Sequence, residues 1–269
     1  MAGGIQYKSR EQMRAMAVAG IVVEKALAAA VAAATPGATT ASVDKAAADV
    51  IAAQGATSNF LGYHGFPAST CISVNEEVVH GIPGPRVLQT GDVVSIDCGA
   101  VVEGWHGDSA VTVILGAPAS EADERIVAAT REAMWAGIAA LATATRLDSV
   151  AAAIEDVTTA AGFHPLEGYV GHGIGTEMHQ VPDVLNYRVR GRLAPVRPGL
   201  CVAIEPMLVQ GTSRSTVLED DWTVVSADGS RSAHWEHSVA VHEDGIWVLT
   251  ATDGGAAGLE PYGIVPVAP

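Results

Sequence analysis

The sequence predicts an α/β protein built from two helix–helix–strand halves, which are related by a pseudo-twofold axis and pack around one central sheet. Composition supports this class. The 269 residues are 49% hydrophobic but only 5% aromatic, and 47 of them are alanine. Such small apolar side chains suit closely packed helices and strands, and this apolar content excludes a disordered chain. The second observation is that the same order of helix, helix and strand signals occurs twice.

The first half begins with a capping box, Ser-x-x-Gln, which predicts a helix over Ser9–Ala34 that ends before Pro36-Gly37. A second helix is predicted over Ser42–Gln54, with Gly55 as its stop. Strand patterns follow at Val93–Asp97 and Ala110–Ile114.

The second half repeats this order. A long helix is predicted over Ser120–Ala144 and a companion over Ser149–Ala161, and strands are predicted over Leu200–Ile204 and Ser238–His242. Matching positions lie 107 or 108 residues apart, as in the pairs Ser42 and Ser149, Gly55 and Gly162, His64 and His172, and Gly91 and Gly199. A nearly constant offset through helix, loop and strand is not expected from alanine-rich composition alone.

The halves, about 9–115 and 120–250, are joined by a short turn rather than a linker, so one catalytic domain is predicted over residues 1–269. Residues 251–269 form a C-terminal tail, rich in Gly and Pro, to which no role is assigned. Matching strands of the two halves are expected to face each other near the pseudo-twofold axis. Their polar residues should therefore meet in one central site.

The net charge of −15 argues against direct binding to nucleic acid or to an anionic membrane. The most apolar stretch, Ala15–Ala34, is interrupted by Glu24 and Lys25, which indicates a core helix and not a membrane span. The first residues lack the pattern of a signal peptide, and the three cysteines have no CxxC spacing. Reduced cysteines in a cytoplasmic protein are therefore expected.

Four carboxylates stand at strand positions where apolar residues are usual. Asp97 and Glu205 each close a buried-strand pattern, Asp108 enters the strand at Ala110–Ile114, and Glu236 precedes another apolar strand. Burying a carboxylate is costly unless it is paired or bound to metal. Because no Lys follows Lys45, metal ions are the expected counter-charges.

His172 completes the candidate ligand set, in the sequence Gly171-His172-Gly173-Ile174-Gly175. A phosphate-binding loop is the alternative interpretation of these glycines, but that loop requires a helix to follow, and Pro182 disfavours one. Four carboxylates and one imidazole exceed the ligands of a mononuclear zinc site. They suit two divalent ions about 3.5–4 Å apart that activate water, and the chemistry predicted is hydrolysis.

The order and spacing of these motifs resemble the methionine aminopeptidases of type I, in the short bacterial form, from residue 5 to about 250. The matching segments are Val78-Val79-His80-Gly81-Ile82-Pro83, Ser95-Ile96-Asp97, Gly104-Trp105-His106-Gly107-Asp108, Gly171 to His179, Ile204-Glu205-Pro206 and Glu236-His237-Ser238. Only 26 residues separate His179 from Glu205, which leaves no room for the helical insertion of type II enzymes. The resemblance implies the pita-bread fold with a central antiparallel sheet, and a metal-dependent aminopeptidase, a hydrolase.

The resemblance also implies roles for the polar residues. Asp108 and Glu236 would bridge two metals, Asp97 would complete one site, and His172 with Glu205 the other. Glu205 would move a proton between the bridging water, which attacks the scissile carbonyl, and the leaving amine. His179 would contact the scissile carbonyl and His80 the scissile amide nitrogen. The other histidines receive no direct role: His64, His106 and His237 support the site at most, and His164, His234 and His242 are taken as ordinary.

A pocket for an unbranched thioether side chain is expected around Tyr63, Phe66, Cys71 and Trp222, together with His80 and His179, because apolar and polarizable walls suit sulfur. Met178 stands where the family more often has an aromatic residue, which should make the pocket more pliable.

The function expected from the resemblance is N-terminal methionine excision from nascent chains whose second residue is small. Partners would be nascent polypeptide N-termini and the ribosome, with the protein a cytoplasmic monomer and Co, Mn, Fe or Zn as the metal. Two alternatives remain open: a pita-bread peptidase specific for Xaa-Pro bonds, and a non-catalytic pita-bread binding protein.

Overall fold

The computed structural model describes residues 4–269. Its α-helices are α1 (Arg10–Ala33), α2 (Thr40–Ala53), α3 (Glu121–Leu141), α4 (Asp148–Ala161) and the short α5 (Ala256–Leu259), with 3₁₀ turns at Tyr63–Gly65 and Glu260–Tyr262. Its strands are β1 (Thr57–Ser58), β2 (Thr70–Val74), β3 (Glu77–Val79), β4 (Val93–Val102), β5 (Trp105–Ile114), β6 (His164–Pro165), β7 (Gly171–Gly173), β8 (Gln180–Val184), β9 (Cys201–Ile204), β10 (Met207–Val209), β11 (Ser215–Val217), β12 (Val224–Ser226), β13 (Ser232–His234), β14 (Glu236–His242) and β15 (Gly245–Val248).

The two long helices begin where their capping signals predicted. The Ser9 hydroxyl accepts from the backbone N–H of Gln12, whose side chain accepts in turn from the Ser9 backbone N–H. Ser120 and Asp123 form the same reciprocal pair at the start of α3. Each pair satisfies two backbone donors that a helix start otherwise leaves free.

The predicted bounds of the other helix ends need small corrections. Helix α2 begins at Thr40 and not at Ser42, because Thr39 is the capping residue and Ser42 closes its capping box. Helix α3 ends at Leu141, short of the predicted Ala144. Helix α4 is stopped by Gly162, as predicted. The φ angle of Gly162 is 77°, a left-handed value that glycine adopts without strain.

Three of the predicted strands are longer than expected, and Asp97, Asp108 and Glu236 lie within them. Strand β4 continues past Asp97 to Val102, β5 begins at Trp105 before Asp108, and β14 begins at Glu236 itself. Strand β9 is one residue shorter than predicted, and Glu205 follows it. The predicted strands stopped at Asp97 or began after Asp108, whereas backbone hydrogen bonding between β4 and β5 continues regardless of side-chain polarity.

A nine-stranded sheet forms the centre of the molecule. Its strands lie in the order β1-β4-β5-β14-β9-β7-β8, with β2 also pairing with β4 and β15 with β14, and the pairings are antiparallel. The predicted central antiparallel sheet is therefore confirmed. The order places strands from both ends of the chain side by side, since β5 contacts β14.

Each helix pair covers its own part of the sheet. One buried apolar cluster joins α1 and α2 to β4, and includes Val23, Val43 and Ile96. Another joins α3 and α4 to β9 and β14, and includes Ile154 and Val202. The tail packs against this second cluster, where its Leu259 is fully buried. The division into two related halves, about 9–115 and 120–250, stays a prediction.

Helix α1 is long and apolar enough to cross a membrane by length and composition alone. Here it packs on β4 and β5 and buries Met13, Met16, Val23 and Leu27 among others. This placement agrees with the predicted core helix.

Helix α1 approaches the sheet region most closely at Gly20. A Cβ atom at this position would lie 2.0 Å from the carbonyl oxygen of Leu249. Gly→Ala in a helix normally adds up to ~1 kcal/mol of stability, but here we expect Gly20→Ala to lower the free energy of unfolding by about 1–3 kcal/mol, because the backbone must move apart. Urea unfolding measures the change. Ala28→Gly, at an exposed position of the same helix, serves as the control for helix propensity alone.

Candidate metal centre and substrate pocket

Five neighbouring strands of the sheet each supply one of the predicted metal ligands. In the order in which the strands lie, these are Asp97 in β4, Asp108 in β5, Glu236 at the start of β14, Glu205 directly after β9 and His172 in the middle of β7. The structure therefore brings all five side chains to one region, although the chain spreads them over residues 97 to 236.

The ligand atoms lie close enough to share metal ions. One atom each from Asp108, His172 and Glu236 lie within 4.8 Å of one another. The Nε2 atom of His172 lies 3.3 Å from Oε1 of Glu205. Asp97 joins the group through the pairing of β4 with β5, in which Gly99 lies opposite Asp108.

Glycines on both sides of His172 allow its strand to lie close to its neighbours. A Cβ at Gly171 would lie 2.3 Å from the carbonyl oxygen of Ala203, and a Cβ at Gly173 would lie 2.4 Å from that of Val181. Only glycine fits at these two positions without moving the neighbouring backbone. A phosphate-binding loop is not present here, because the segment is strand β7 and leads into strand β8 rather than a helix.

His172 is oriented as a neutral ligand. Its Nδ1 atom lies 2.9 Å from the carbonyl oxygen of Gly173 and donates to it, so Nε2 presents its lone pair to the carboxylates. Burial, with a smaller effect of the nearby His179, lowers the pKa of His172 to about 3. The imidazole is thus uncharged at neutral pH, as metal binding requires.

Burial raises the pKa of every carboxylate in the group, and repulsion adds to the increase for Asp108, Glu205 and Glu236. Burial raises the pKa of Asp97 to about 8. It also raises those of Asp108, Glu205 and Glu236, and the charge of Asp97 adds to the increase in all three. Four such groups are costly to ionise together unless a cation lies among them.

In the part of the chain that the structure describes, the carboxylates have free oxygen atoms and no Lys or Arg partner. Asp97 Oδ1, Asp108 Oδ1 and Glu236 Oε1 are buried without a hydrogen-bond partner. Within residues 4–269, the ion pairs that reach Glu205 and Glu236 come from histidines, and none comes from Lys or Arg. Oxygen atoms left free in this way, beside a neutral imidazole, fit divalent cations.

Hydrogen bonds from side chains to backbone groups fix the segments that carry these candidate ligands. The Ser238 hydroxyl accepts from the N–H of Asp108 and donates to its carbonyl, at 3.2 and 2.8 Å. The Ser109 hydroxyl donates to the carbonyl of Glu236, and the Asn186 amide donates to that of Glu205. These bonds hold the three carboxylate-bearing segments in register.

A cavity of about 190 Å³ opens beside the carboxylates. All residues of the predicted substrate pocket line it, together with the five metal ligands; they are Tyr63, Phe66, Cys71, His80, Met178, His179 and Trp222. The Phe66 and Trp222 rings meet edge to face, with centroids 5.1 Å apart, and Cys71 and Met178 belong to the same apolar cluster. One side of the cavity is therefore apolar and the other acidic.

Two histidines lie between these sides. His179 precedes β8, and its Nδ1 atom lies 2.8 Å from the Tyr63 hydroxyl. His80 follows β3 in a left-handed conformation, with φ of 61°, and its ring faces that of Trp222. Burial lowers the pKa of both imidazoles, to about 4 for His80, so both are neutral at pH 7.

Sequence reasoning missed His234. The expectation that it is an ordinary histidine is wrong, because its side chain is buried in the site, 3.8 Å from Glu205 and 3.9 Å from Glu236. Burial lowers its pKa to about 3. Its position two residues before Glu236 in an extended segment was the available signal, since alternate residues of a strand share one face.

Three further pocket residues were not predicted as direct contacts: Phe60, His64 and Val79 line the cavity. Of the other histidines, His237 turns to Thr250 and His242 to the carbonyl of Val267, both away from the carboxylates. His164 is exposed.

The fold and the site define a metallopeptidase. The sequence matches metallopeptidase family M24 over residues 14–243. It is 52% identical over 253 residues to methionine aminopeptidase 1 of Mycobacterium tuberculosis. This match covers 91% of this chain and 95% of the relative. The chain therefore belongs to metallopeptidase family M24, and within it to the methionine aminopeptidases.

Solved structures agree with this assignment. The crystal structure of methionine aminopeptidase from Thermotoga maritima superposes with a TM-score of 0.89 at 39% identity, covering 92% of this chain and 99% of that one. Prolidase from Pyrococcus furiosus superposes with a TM-score of 0.71 at 21% identity, covering 91% of this chain and 65% of that one, and so shares the fold alone. The predicted pita-bread fold is confirmed.

Proposed function

We propose that the protein removes the initiator methionine from nascent chains whose second residue is small, at a centre of two divalent metal ions. The observation that carries this proposal is the cavity in which apolar walls meet five metal-ligand side chains. The similarity to methionine aminopeptidases supports the substrate class.

The ligand assignment follows the positions of the side chains. Asp108 and Glu236, which lie on paired strands, would hold the ions together with His172 and Glu205, and Asp97 on the neighbouring strand β4 would complete the set. The chemistry that such a pair of ions supplies is activation of water at neutral pH and polarisation of the scissile carbonyl.

Glu205 is placed to move the proton. Its carboxylate lines the cavity and is the least buried of the four, so it lies beside the space that a bound substrate would fill. It would take a proton from the attacking water and deliver it to the leaving amine nitrogen.

His179 would donate a hydrogen bond to the scissile carbonyl oxygen. The Tyr63 hydroxyl, donating to Nδ1, leaves the proton of the neutral ring on Nε2. A donor of this kind stabilises the negative charge that develops on the oxygen. His80, which follows β3 and packs against the Trp222 ring, would contact the scissile amide nitrogen.

The methionine side chain would lie among Phe66, Cys71, Trp222 and Met178. The edge-to-face pair of Phe66 and Trp222 gives rigid aromatic walls, and thioether sulfur contacts aromatic edges favourably. Met178 is buried in the same cluster and adds a flexible wall.

Further parts of the proposal rest on the relatives and on composition. The substrates are the N-termini of nascent polypeptides at the ribosome, in the cytoplasm. The protein acts as a monomer. The oxygen-rich ligand set suits Mn, Fe, Co or Zn. The organisation is one catalytic domain over residues 1–269.

The role of His179 predicts a large loss on truncation. We expect His179→Ala to lower kcat by about 10²–10³, with a smaller change in KM, because the donor acts mainly on the developing oxyanion. Steady-state kinetics on a Met-Gly-Met peptide measure both constants. His164→Ala, at an exposed histidine on β6, is the control and should match the wild type. Equal losses in the two variants would contradict the assigned role.

Substrate choice tests the proposed function as a whole. Protein supplied in turn with Co, Mn, Fe and Zn should release methionine from Met-Gly-Met and leave Xaa-Pro peptides intact. Cleavage of Xaa-Pro peptides alone would overturn it in favour of the other pita-bread peptidases. No hydrolysis with any metal, together with no bound metal by elemental analysis, would favour a binding protein.

A further inference from the structure

One buried imidazole near the carboxylates is not used by the five-ligand centre. The geometry points to His234 as a sixth ligand-bearing side chain, which binds a metal ion together with Glu205 and Glu236. This inference rests on the proposed metal centre but is independent of which peptide the protein cleaves.

The distances suit a shared cation better than hydrogen bonds. Nε2 of His234 lies 3.8 Å from Oε2 of Glu205 and 3.9 Å from Oε2 of Glu236, beyond hydrogen-bond length for both. Ligand atoms bonded to one ion at about 2.0–2.2 Å lie about 3–4 Å from one another. One atom from each of the three residues falls within a common 4.8 Å.

The burial of His234 requires a partner for its ring. The residue is 1% exposed, and Nε2 has no hydrogen-bond partner. Leaving such an atom unsatisfied costs about 1–3 kcal/mol. A bond from Nε2 to a metal ion removes that cost. The ion also supplies the positive charge that Glu205 and Glu236 need.

The backbone holds His234 in this place. Its N–H donates to the Thr112 hydroxyl at 2.9 Å, and its carbonyl accepts from the same hydroxyl at 2.7 Å. Thr112 belongs to β5, the strand that also carries Asp108. The imidazole is therefore fixed to the sheet that carries the ligands.

Glu205 then lies between two imidazoles. Its Oε1 faces Nε2 of His172 at 3.3 Å, and its Oε2 faces Nε2 of His234 at 3.8 Å. A second imidazole makes the centre richer in nitrogen, which favours Zn, Co and Fe over Mn. His234 would therefore shift the metal preference of the centre toward Zn, Co and Fe.

Metal affinity and ligation test the inference, with Co, Zn and Mn salts as the probes. His234→Gln keeps hydrogen-bonding capacity but removes the imidazole. We expect its Co and Zn dissociation constants, from equilibrium dialysis, to rise by about 100-fold or more, the Mn constant to rise less, and the visible spectrum of the Co form to change. His242→Gln, at a buried histidine of β14 distant from the carboxylates, should bind metal as the wild type does.

A second measurement needs no substitution. In wild-type protein with ¹⁵N-labelled histidine, saturation with Zn should move two ring nitrogens to metal-bound shifts, one each from His172 and His234. One shifted nitrogen would overturn the inference, as would weaker binding by His234→Gln with an unchanged cobalt spectrum, since that result makes His234 a support for Glu205. Wild-type protein that binds no ion would overturn the metal centre itself.

Discussion

Asp108→Asn is expected to abolish peptidase activity and to weaken metal binding by at least about 100-fold. Loss of a residue outside the ligand set commonly costs 10–100-fold in metal affinity or activity, so loss of the charge of a proposed ligand should cost more. Asp108 is buried on β5, between the strands that carry Asp97 and Glu236, with one oxygen atom free of partners.

The same change should stabilise the metal-free protein. Burial, together with the charges of Asp97 and Glu205, raises the pKa of Asp108, so these carboxyls oppose each other when no cation is bound. Removing one ionisable group relieves that repulsion. Opposite effects on metal binding and on metal-free stability distinguish a ligand from a residue needed only for folding.

Calorimetric metal titration and urea unfolding in chelator measure the two effects. The control is Asp183→Asn, at an exposed aspartate of β8 in the same sheet, which should leave both unchanged. Wild-type activity in Asp108→Asn, or reduced stability in chelator, would contradict the assignment.

Metal removal is expected to lower the free energy of unfolding by about 4 kcal/mol relative to protein with free ion at about 1,000 times Kd. It should also make stability fall with pH above neutrality. Burial raises the pKa of Asp97 in the folded state to about 8, above its unfolded value, so the folded protein holds the extra proton. Stability from this group is present at low pH and is lost as pH rises through about 8.

The buried histidines determine the lowest pH at which this fall in stability can be observed. The pKa of His172 is lowered to about 3 and that of His237 to about 4, so both act in the opposite direction below about pH 6.5. From pH 7 to 8.5 only the carboxyl effect remains, and the metal-free protein should lose at least about 1 kcal/mol.

Urea unfolding at pH 7 and 8.5, with chelator and with metal, measures this slope. Asp97→Asn should reduce it in chelator, since the asparagine does not titrate while Asp108, Glu205 and Glu236 still do. A metal-free protein whose stability is constant or rises across this interval would show that the carboxyls do not hold the extra protons.

Much of the fold and site could be predicted from the sequence, because the signals were local or repeated. The Ser9 and Ser120 capping boxes marked helix starts, and a carboxylate beside an apolar strand pattern marked four of the five candidate ligands. Strand lengths could not be predicted as well, since pairing of β4 with β5 extends both past the apolar segments.

His234 was missed for a different reason. A lone histidine carries little information until its neighbours in space are known, and its neighbour Glu205 comes from a distant part of the sequence. The same holds for His64 and Val79, which enter the cavity through loop and strand placement. Contacts between distant segments decide such positions. The two-residue spacing from Glu236 could place His234 on the same face of the strand, but it does not report the approach to Glu205.

The placement of one ligand on each of five neighbouring strands has a consequence for biosynthesis. Because Glu236 lies in β14, between β5 and β9, the strands with Asp108 and Glu205 meet only through a segment near the end of the chain. A truncated or partly synthesised chain holds an incomplete set of ligands. The centre should therefore load metal only after nearly the whole chain has emerged and the sheet has closed, so metal content is itself a measure of complete folding.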